Sequence, residues 1–252
     1  MQNIGEAVEN ISSAKENVGD GIDSLNAAWS FGGNTPKHFD AHVSKSVPKY
    51  QDGHDIILSL SDYFVNKHSI VYELGSSTGA LTCKMAQRHK QAASFIGIDI
   101  EEAMTLQANE KLLEMPSINN VSFVTDNILN YPFEKSDFIV AYYTVQFIPP
   151  RIRQALFDRI YESLNWGGAF VLFEKVRGPD ARFQDIISNL YVDYKIEQGY
   201  APHEIIAKSR SLKGVMEPFS SAGNLDLFNR AGFVDVMSVF KHICFEGFFA
   251  IK

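Results

Sequence analysis

The run IVYELGSSTGALTCKMA, residues 70–86, joins three textures: an apolar stretch, two glycines bracketing small hydroxyl residues, and the opening of a helical pattern. It reads as a buried strand, a tight loop at its carboxyl end, and a helix. In open α/β sheets, ligands sit outside the carboxyl ends of the strands, at the point where strand order reverses. Gly75 and Gly79 would let the backbone approach a ligand closely, and Ser76, Ser77 and Thr78 keep the space between them free of bulk. The loop is not the G-x-G-x-x-G dinucleotide fingerprint, because Ser77 stands where its second glycine would be. By itself the stretch fits a plain strand-to-helix turn as well as a ligand loop. The flanking sequence has to decide.

Outward from that run, strand and helix patterns alternate. Apolar runs predict strands over 69–74, 94–98, 121–124, 137–141 and 169–173, and amphipathic patterns predict helices over 53–65, 79–87, 101–114 and 152–164. Nearly continuous apolar strands separated by helices imply a parallel sheet covered on both faces. The tail AGFVDVMSVFKHICFEGFFAIK, residues 231–252, offers two β-rich runs that split near Glu246 and Gly247, which predicts an antiparallel hairpin. The expectation is a doubly wound, Rossmann-like α/β fold with a mostly parallel seven-stranded sheet ending in that hairpin. Residues 1–28 form a polar arm with thin apolar spacing, either loosely docked or flexible. Residues 29–252 form one domain, with 29–68 as a helical lid and 179–220 as a helical insertion. In the lid, Thr35 caps and Pro36 opens a helix that Pro48 ends.

Composition narrows the function classes. At 252 residues and 45% hydrophobic content the chain can bury a large core. A net charge of -7 disfavours direct nucleic-acid binding, which is built on lysine and arginine, and leaves a small-molecule substrate as the expectation. No secretory pattern or membrane-spanning run is visible, and Cys83 and Cys244 lie far apart, as suits a reducing cytoplasm. Cys83 reads as a packed thiol on a helix face. His38 and His42 have metal-ligand spacing but no third ligand is apparent, so no metal is expected. A homodimer remains open.

Three strand ends carry chemistry. Asp99 closes the second strand, roughly two dozen residues beyond Gly75, where an acid accepts the hydroxyls of an adenosine ribose. It equally fits a helix cap. Asp126 and Asn127 close the third strand and suit either an adenine amino group or a turn. Glu73 is an acid near the place of a bound amino group.

With ELGSSTG, GIDIEEAM, TDNI, the NWGG turn and the terminal hairpin in view, the chain resembles a class I S-adenosylmethionine-dependent methyltransferase. A closer likeness is to the carboxy-S-adenosylmethionine synthase family, through WSF, SVPKY, YELGSSTGALT, GYAPHEI, NRAGF and the long run over 144–175. That family carboxylates the methyl carbon of S-adenosylmethionine, with prephenate as carboxyl source, in a route to modified tRNA wobble uridine. The resemblance implies S-adenosyl-L-methionine, or its carboxylated form, as cofactor. It places Tyr50 over the cofactor, Gly75 at its methionine part, Asp99 at its ribose, and Asn127 with Ile128 at its adenine, with Glu73, Ser76, Gly79, Ile100 and Asp126 as further cofactor-binding candidates. Tyr142 stands where the family has an asparagine. The family's arginine for the added carboxylate falls on Ser209, with Arg210 one place on.

Tyr142, Tyr143 and Phe147 follow the fourth strand and suit either a substrate pocket or the core. Lys175, Arg177, His203 and Arg210 would gather over the sulfonium or scatter on the surface, and His203 is the plausible general base among them. His203, Arg210 and Tyr142 are therefore the catalytic candidates. With Ser209 at the arginine position, the sequence ranks a methyltransferase on an unidentified acceptor ahead of a carboxy-S-adenosylmethionine synthase, and a non-catalytic adenosyl-binding protein third.

Overall fold

The computed structural model describes residues 15–33, 35–90 and 93–252. Its main sheet has strands β3 (Ile70–Leu74), β4 (Ser94–Asp99), β5 (Val121–Thr125), β6 (Ser136–Tyr142), β7 (Leu164–Lys175), β8 (Asp235–His242) and β9 (Phe245–Ile251). Their order across the sheet is β5-β4-β3-β6-β7-β9-β8. The first five run parallel, while β9 pairs antiparallel with both β7 and β8. The strand order reverses at β3, because β4 lies on one side of it and β6 on the other. That reversal opens a crevice at the carboxyl end of the strand that carries the glycine loop.

The period of two along each strand divides the core. Tyr72, Leu74, Ile139, Ala141, Phe170 and Leu172 face one side, where Leu156, Phe157, Ile160, Leu227 and Phe228 cover them. Those covering residues come from α5 (Pro150–Ser163) and α8 (Ser221–Ala231). Val71, Phe138, Val140, Val171 and Phe173 face the other side, against Ile57, Leu81, Cys83, Met85 and Ala86. These belong to α2 (Tyr50–Ser61) and α3 (Ala80–His89). Strands buried on both faces need apolar residues at every position, which is why they read as unbroken runs.

Two boundaries differ from expectation. The hairpin turns at Ile243, which has φ 50°, and not at Glu246 and Gly247. Gly247 lies inside β9 opposite Phe173, whose ring sits 2.6 Å from where a Cβ would be. The glycine serves packing, and mimics a turn signal in sequence. Strand β7 begins at Leu164, well before residue 169, because the NWGG segment joins the ladder through an irregularity opposite 136–138.

Residues 1–14 of the expected arm lie outside the described residues. Its remainder is docked: β1 (Glu16–Asn17) and β2 (Asp23–Ser24) form a short antiparallel ladder. Val18 and Ile22 pack with Trp29 and Ala207. Of the expected lid, α1 (Thr35–Ser46) lies over the crevice, whereas α2 sends Ile57 into the core. The insertion forms α6 (Ala181–Glu197) and α7 (Pro202–Ser211), and α4 (Glu102–Leu113) completes the layer beside β4 and β5.

Candidate active site

The loop after β3 is shaped by its two glycines. Gly75 and Gly79 have φ of 73° and 76°, a left-handed conformation that other residues adopt only with strain. The N–H groups of Gly75 and Ser76 donate to the Ile98 carbonyl at 2.7 and 3.0 Å, which fastens the loop to the end of β4. A Cβ on Gly75 would lie 2.4 Å from Thr144 Oγ1, so the close approach also requires glycine. Ser76 is buried and its hydroxyl has no hydrogen-bond partner among the described residues.

Two carboxyls flank this loop. Glu73 is 4% exposed and accepts a hydrogen bond from Thr82, and burial pushes its carboxyl up to about 8. At neutral pH it is an acid held largely protonated, and a cation beside it would favour its ionisation. Asp99 accepts from the Ser77 N–H at 2.8 Å and from the Glu101 N–H at 2.9 Å. Burial raises the Asp99 carboxyl above the usual range even though both bonds favour its charged form. It fastens the loop and the start of α4 together while facing the crevice.

Beyond β5, Asp126 accepts from the Asn127 N–H at 2.6 Å, and the Asn127 side-chain oxygen accepts from the Leu129 N–H at 3.0 Å. These are turn bonds, and they hold both residues at the cavity wall. Ile128 is buried there, while Ile100 lies at the exposed rim.

The strand β6 ends in aromatic residues. The ring of Tyr142 lies 5.0 Å from Tyr50 and 4.6 Å from Tyr143. Its hydroxyl donates to the Tyr50 carbonyl at 2.5 Å, so Tyr142 positions the start of α2. Gly53 permits this, since a Cβ there would stand 2.3 Å from that hydroxyl. The following turn is anchored from below: buried Glu174 accepts from the Val145 N–H at 2.9 Å, and buried Arg153 donates to the carbonyls of Ile148 and Gln146. Phe147 lines the cavity and packs edge-on to Phe31 at 4.9 Å.

The glycine loop, the strand ends and the aromatic residues border a cavity of ≈ 1020 Å³. One half is formed by the strand ends just described. The other is lined by Tyr191 and Lys195 of α6, Lys208 and Ser209 of α7, Lys175 of β7, Cys244 of the hairpin turn and His42 of α1. Lys175 and Lys195 both lie over the Tyr191 ring, at 4.5 and 4.6 Å from its centre, and Lys208 stacks on Trp29. Burial lowers all three ammonium groups, Lys195 to about 7.

The structure brings Tyr50, Glu73, Gly75, Ser76, Asp99, Ile100, Asp126, Asn127, Ile128 and Tyr142 to the cavity wall. It does not bring Gly79, His203 or Arg210 there. Gly79 caps α3, with Phe123 2.3 Å from the place of its Cβ. On α7 and at its C-cap the residues at the cavity are Glu204, Ile205, Lys208, Ser209 and Leu212, a single helical stripe. His203 and Arg210 are exposed on other faces of that helix, and Arg210 reaches Glu16 at 3.8 Å. The step of about 100° per residue turns Arg210 away from the position that Ser209 holds. Sequence reading missed Lys195, Lys208 and Tyr191. A lone lysine in an amphipathic helix ordinarily marks the solvent face, and only the docking of α6 and α7 turns these inward.

The fold of this sheet and its flanking helices is shared with known enzymes. Human N-acetylserotonin methyltransferase, solved in complex with SAM, superposes with a TM-score of 0.59 at 15% identity, over 86% of this chain and 54% of that one. Magnesium protoporphyrin IX methyltransferase from Synechocystis PCC 6803, solved with bound SAH, gives 0.57 at 18% identity, over 83% and 86%. The family described as "Methyltransferase domain" matches residues 71–168. Fold and comparisons together define an S-adenosylmethionine-dependent enzyme. Carboxy-S-adenosyl-L-methionine synthase of Staphylococcus epidermidis is 34% identical over 89% of this chain and 97% of its own length. The enzyme of the same name from Campylobacter lari is 33% identical over 90% and 96%. The chain belongs to the carboxy-S-adenosyl-L-methionine synthase family.

Proposed function

We propose that this chain carboxylates the methyl carbon of S-adenosyl-L-methionine, the activity that its relatives' name describes, rather than passing the methyl group to a separate acceptor. The observation that carries this is the chemical division of the cavity. The strand-end half offers what an adenosyl-methionine needs: a glycine backbone, the unpartnered Ser76 hydroxyl, and two carboxyls. Glu73 would pair with the amino group, Gly75 and Ser76 would meet the carboxylate of the methionine part, and Asp99 would accept the ribose hydroxyls. Asn127 and Ile128 would border the adenine. When bound, the cofactor supplies an activated methyl group next to its sulfonium.

The other half contains cations and tyrosines. A methyltransferase acting on a hydroxyl or amine benefits from a base beside its acceptor. The imidazole at this wall is His42, whose Nδ1–H donates to Asp20 at 2.7 Å and which burial pulls down to about 4. His203, the base expected from sequence, is on the outside of α7. A cationic wall fits a product that carries a new carboxylate next to the sulfonium. Tyr50, Tyr142 and Tyr143 would enclose the reacting carbon and keep water from it.

The test is mass spectrometry of the cofactor pool after the purified protein is incubated with S-adenosylmethionine and prephenate. A cofactor heavier by one carboxyl group is the expected result. A demethylated cofactor formed only when a separate acceptor is supplied would support methyl transfer, the reading that Ser209 suggested from sequence.

A further inference from the structure

Three lysines at the inner end of the cavity have no carboxylate to answer them. Lys175, Lys195 and Lys208 make no ion pair or hydrogen bond through their ammonium groups among the described residues. Lys195 is only 9% exposed, and it shares the Tyr191 ring with Lys175. Aromatic faces attract cations, but one ring does not offset the repulsion between two buried like charges. Each element packed around the cluster contributes its own groups. From β7 comes Lys175 and from the segment after it Arg177, from the hairpin turn Cys244, from α7 Glu204 and Lys208, from α1 His42, and from the docked N-terminal ladder Asp20. Asp20, the acid that acts on Lys208, is already engaged by His42, Lys45 and Tyr200, and Glu204 of α7 accepts from the Ala201 N–H. A buried group of cations facing an open volume, with the acids around it committed elsewhere, is arranged for an anion from outside.

We infer that Lys175, Lys195 and Lys208, around the Tyr191 ring, form a binding site for a carboxylate-bearing small molecule that occupies the cavity together with the cofactor, and that binding takes up a proton. The inference rests on the one-carbon reading above for the identity of the neighbouring ligand. It gives the anion-holding role to three lysines from three different elements, at a place where Ser209 supplies no charge. In the empty site the crowded amines shed a proton readily. An arriving carboxylate restores the proton to Lys195, so affinity falls as pH rises above about 7, where burial has placed that amine.

Malonate titrated into protein saturated with S-adenosylhomocysteine tests this. Binding is expected at pH 6.5, about tenfold weaker at pH 8.5 for one linked proton. Calorimetry at pH 8 in buffers of different ionisation enthalpy should show proton uptake. Lys195→Met and Lys208→Met should each lose at least tenfold in malonate affinity and hold S-adenosylhomocysteine within twofold of the native value, which also reports that they fold. Absence of malonate binding to the saturated native protein overturns the inference, as does binding without proton uptake or with native strength in both variants. Failure of S-adenosylhomocysteine itself to bind would instead overturn the cofactor reading.

Discussion

Glu73 illustrates how one buried carboxyl can be tuned for a ligand. Its folded pKa of about 8 exceeds its ordinary value of 4.5. Between those two values the native state keeps a proton that the unfolded chain has released, so stability falls as pH rises through that window. Without cofactor, Glu73→Gln should flatten the dependence of Tm on pH over this range and should be more stable than the native protein near pH 8, by on the order of 1–3 kcal/mol. The same variant should bind S-adenosylhomocysteine about tenfold more weakly by calorimetry, since it cannot ionise against an ammonium group. A native-like pH profile in the variant would show that the carboxyl does not titrate there. Asp99 makes a separate prediction. Asp99→Ala should cost about 1–3 kcal/mol of cofactor affinity, the range for lost hydrogen bonds to a charged acceptor. Unchanged affinity would remove Asp99 from the ribose role.

Among the elements, α1 is the one placed to move. Val43 and Val47 line the cavity from above. Asp40 of the same helix accepts from the Thr78 hydroxyl at 2.5 Å and pairs with Lys111 of α4, so α1 is latched to the glycine loop mainly by polar contacts. Partly exposed polar latches open more readily than packed cores. Limited proteolysis should therefore cut residues 29–50 more slowly with S-adenosylhomocysteine bound than without it. Equal rates would mean that α1 is a fixed wall. By contrast α2 is held by Ile57 in the core and by the bond from Tyr142 to Tyr50. Tyr142→Phe should destabilise the protein by about 1 kcal/mol through loss of that hydrogen bond, measurable in denaturant.

Across the whole molecule, the docked N-terminal ladder, α1 and the insertion meet at Asp20. It accepts from His42 and Lys45 of α1 and from Tyr200 between α6 and α7. Burial pulls His42 down to about 4, while the unfolded imidazole takes up protons below about 6.5. Stability should consequently rise with pH from about 4 to 6.5. The carboxyl of Asp20 is held below its ordinary range, net of its own burial, so its contribution is likewise lost on acidification. His42→Asn should remove most of the Tm drop between pH 7 and 5. A variant as acid-sensitive as the native protein would assign that drop to other groups. The sheet core behaves differently: Phe157, fully buried between α5 and β7, should cost about 3–5 kcal/mol on truncation to Ala at any pH.

The loop over 70–86 together with the apolar runs that follow it set the fold, because strands buried on both faces must be apolar throughout and a ligand loop at a strand end must be small. Both demands are local, so they appear as composition at fixed spacing. The same holds for Glu73, Gly75, Ser76, Asp99 and Asn127, which occupy the ends of consecutive strands and reach the cavity as a consequence of topology. Gly247 shows where local reading stops. As a turn signal it misplaced the hairpin, because its actual constraint is the Phe173 ring from another strand. Helix α7 shows the same limit, since a helix pattern does not state which stripe meets a partner formed elsewhere in the chain. The tertiary structure alone turned Lys208 inward, set Ser209 at the cavity rim and left His203 and Arg210 outside. It also gathered Lys175, Lys195 and Lys208 from a strand and two helices. Charge repulsion and burial act through space, and the sequence records only distance along the chain.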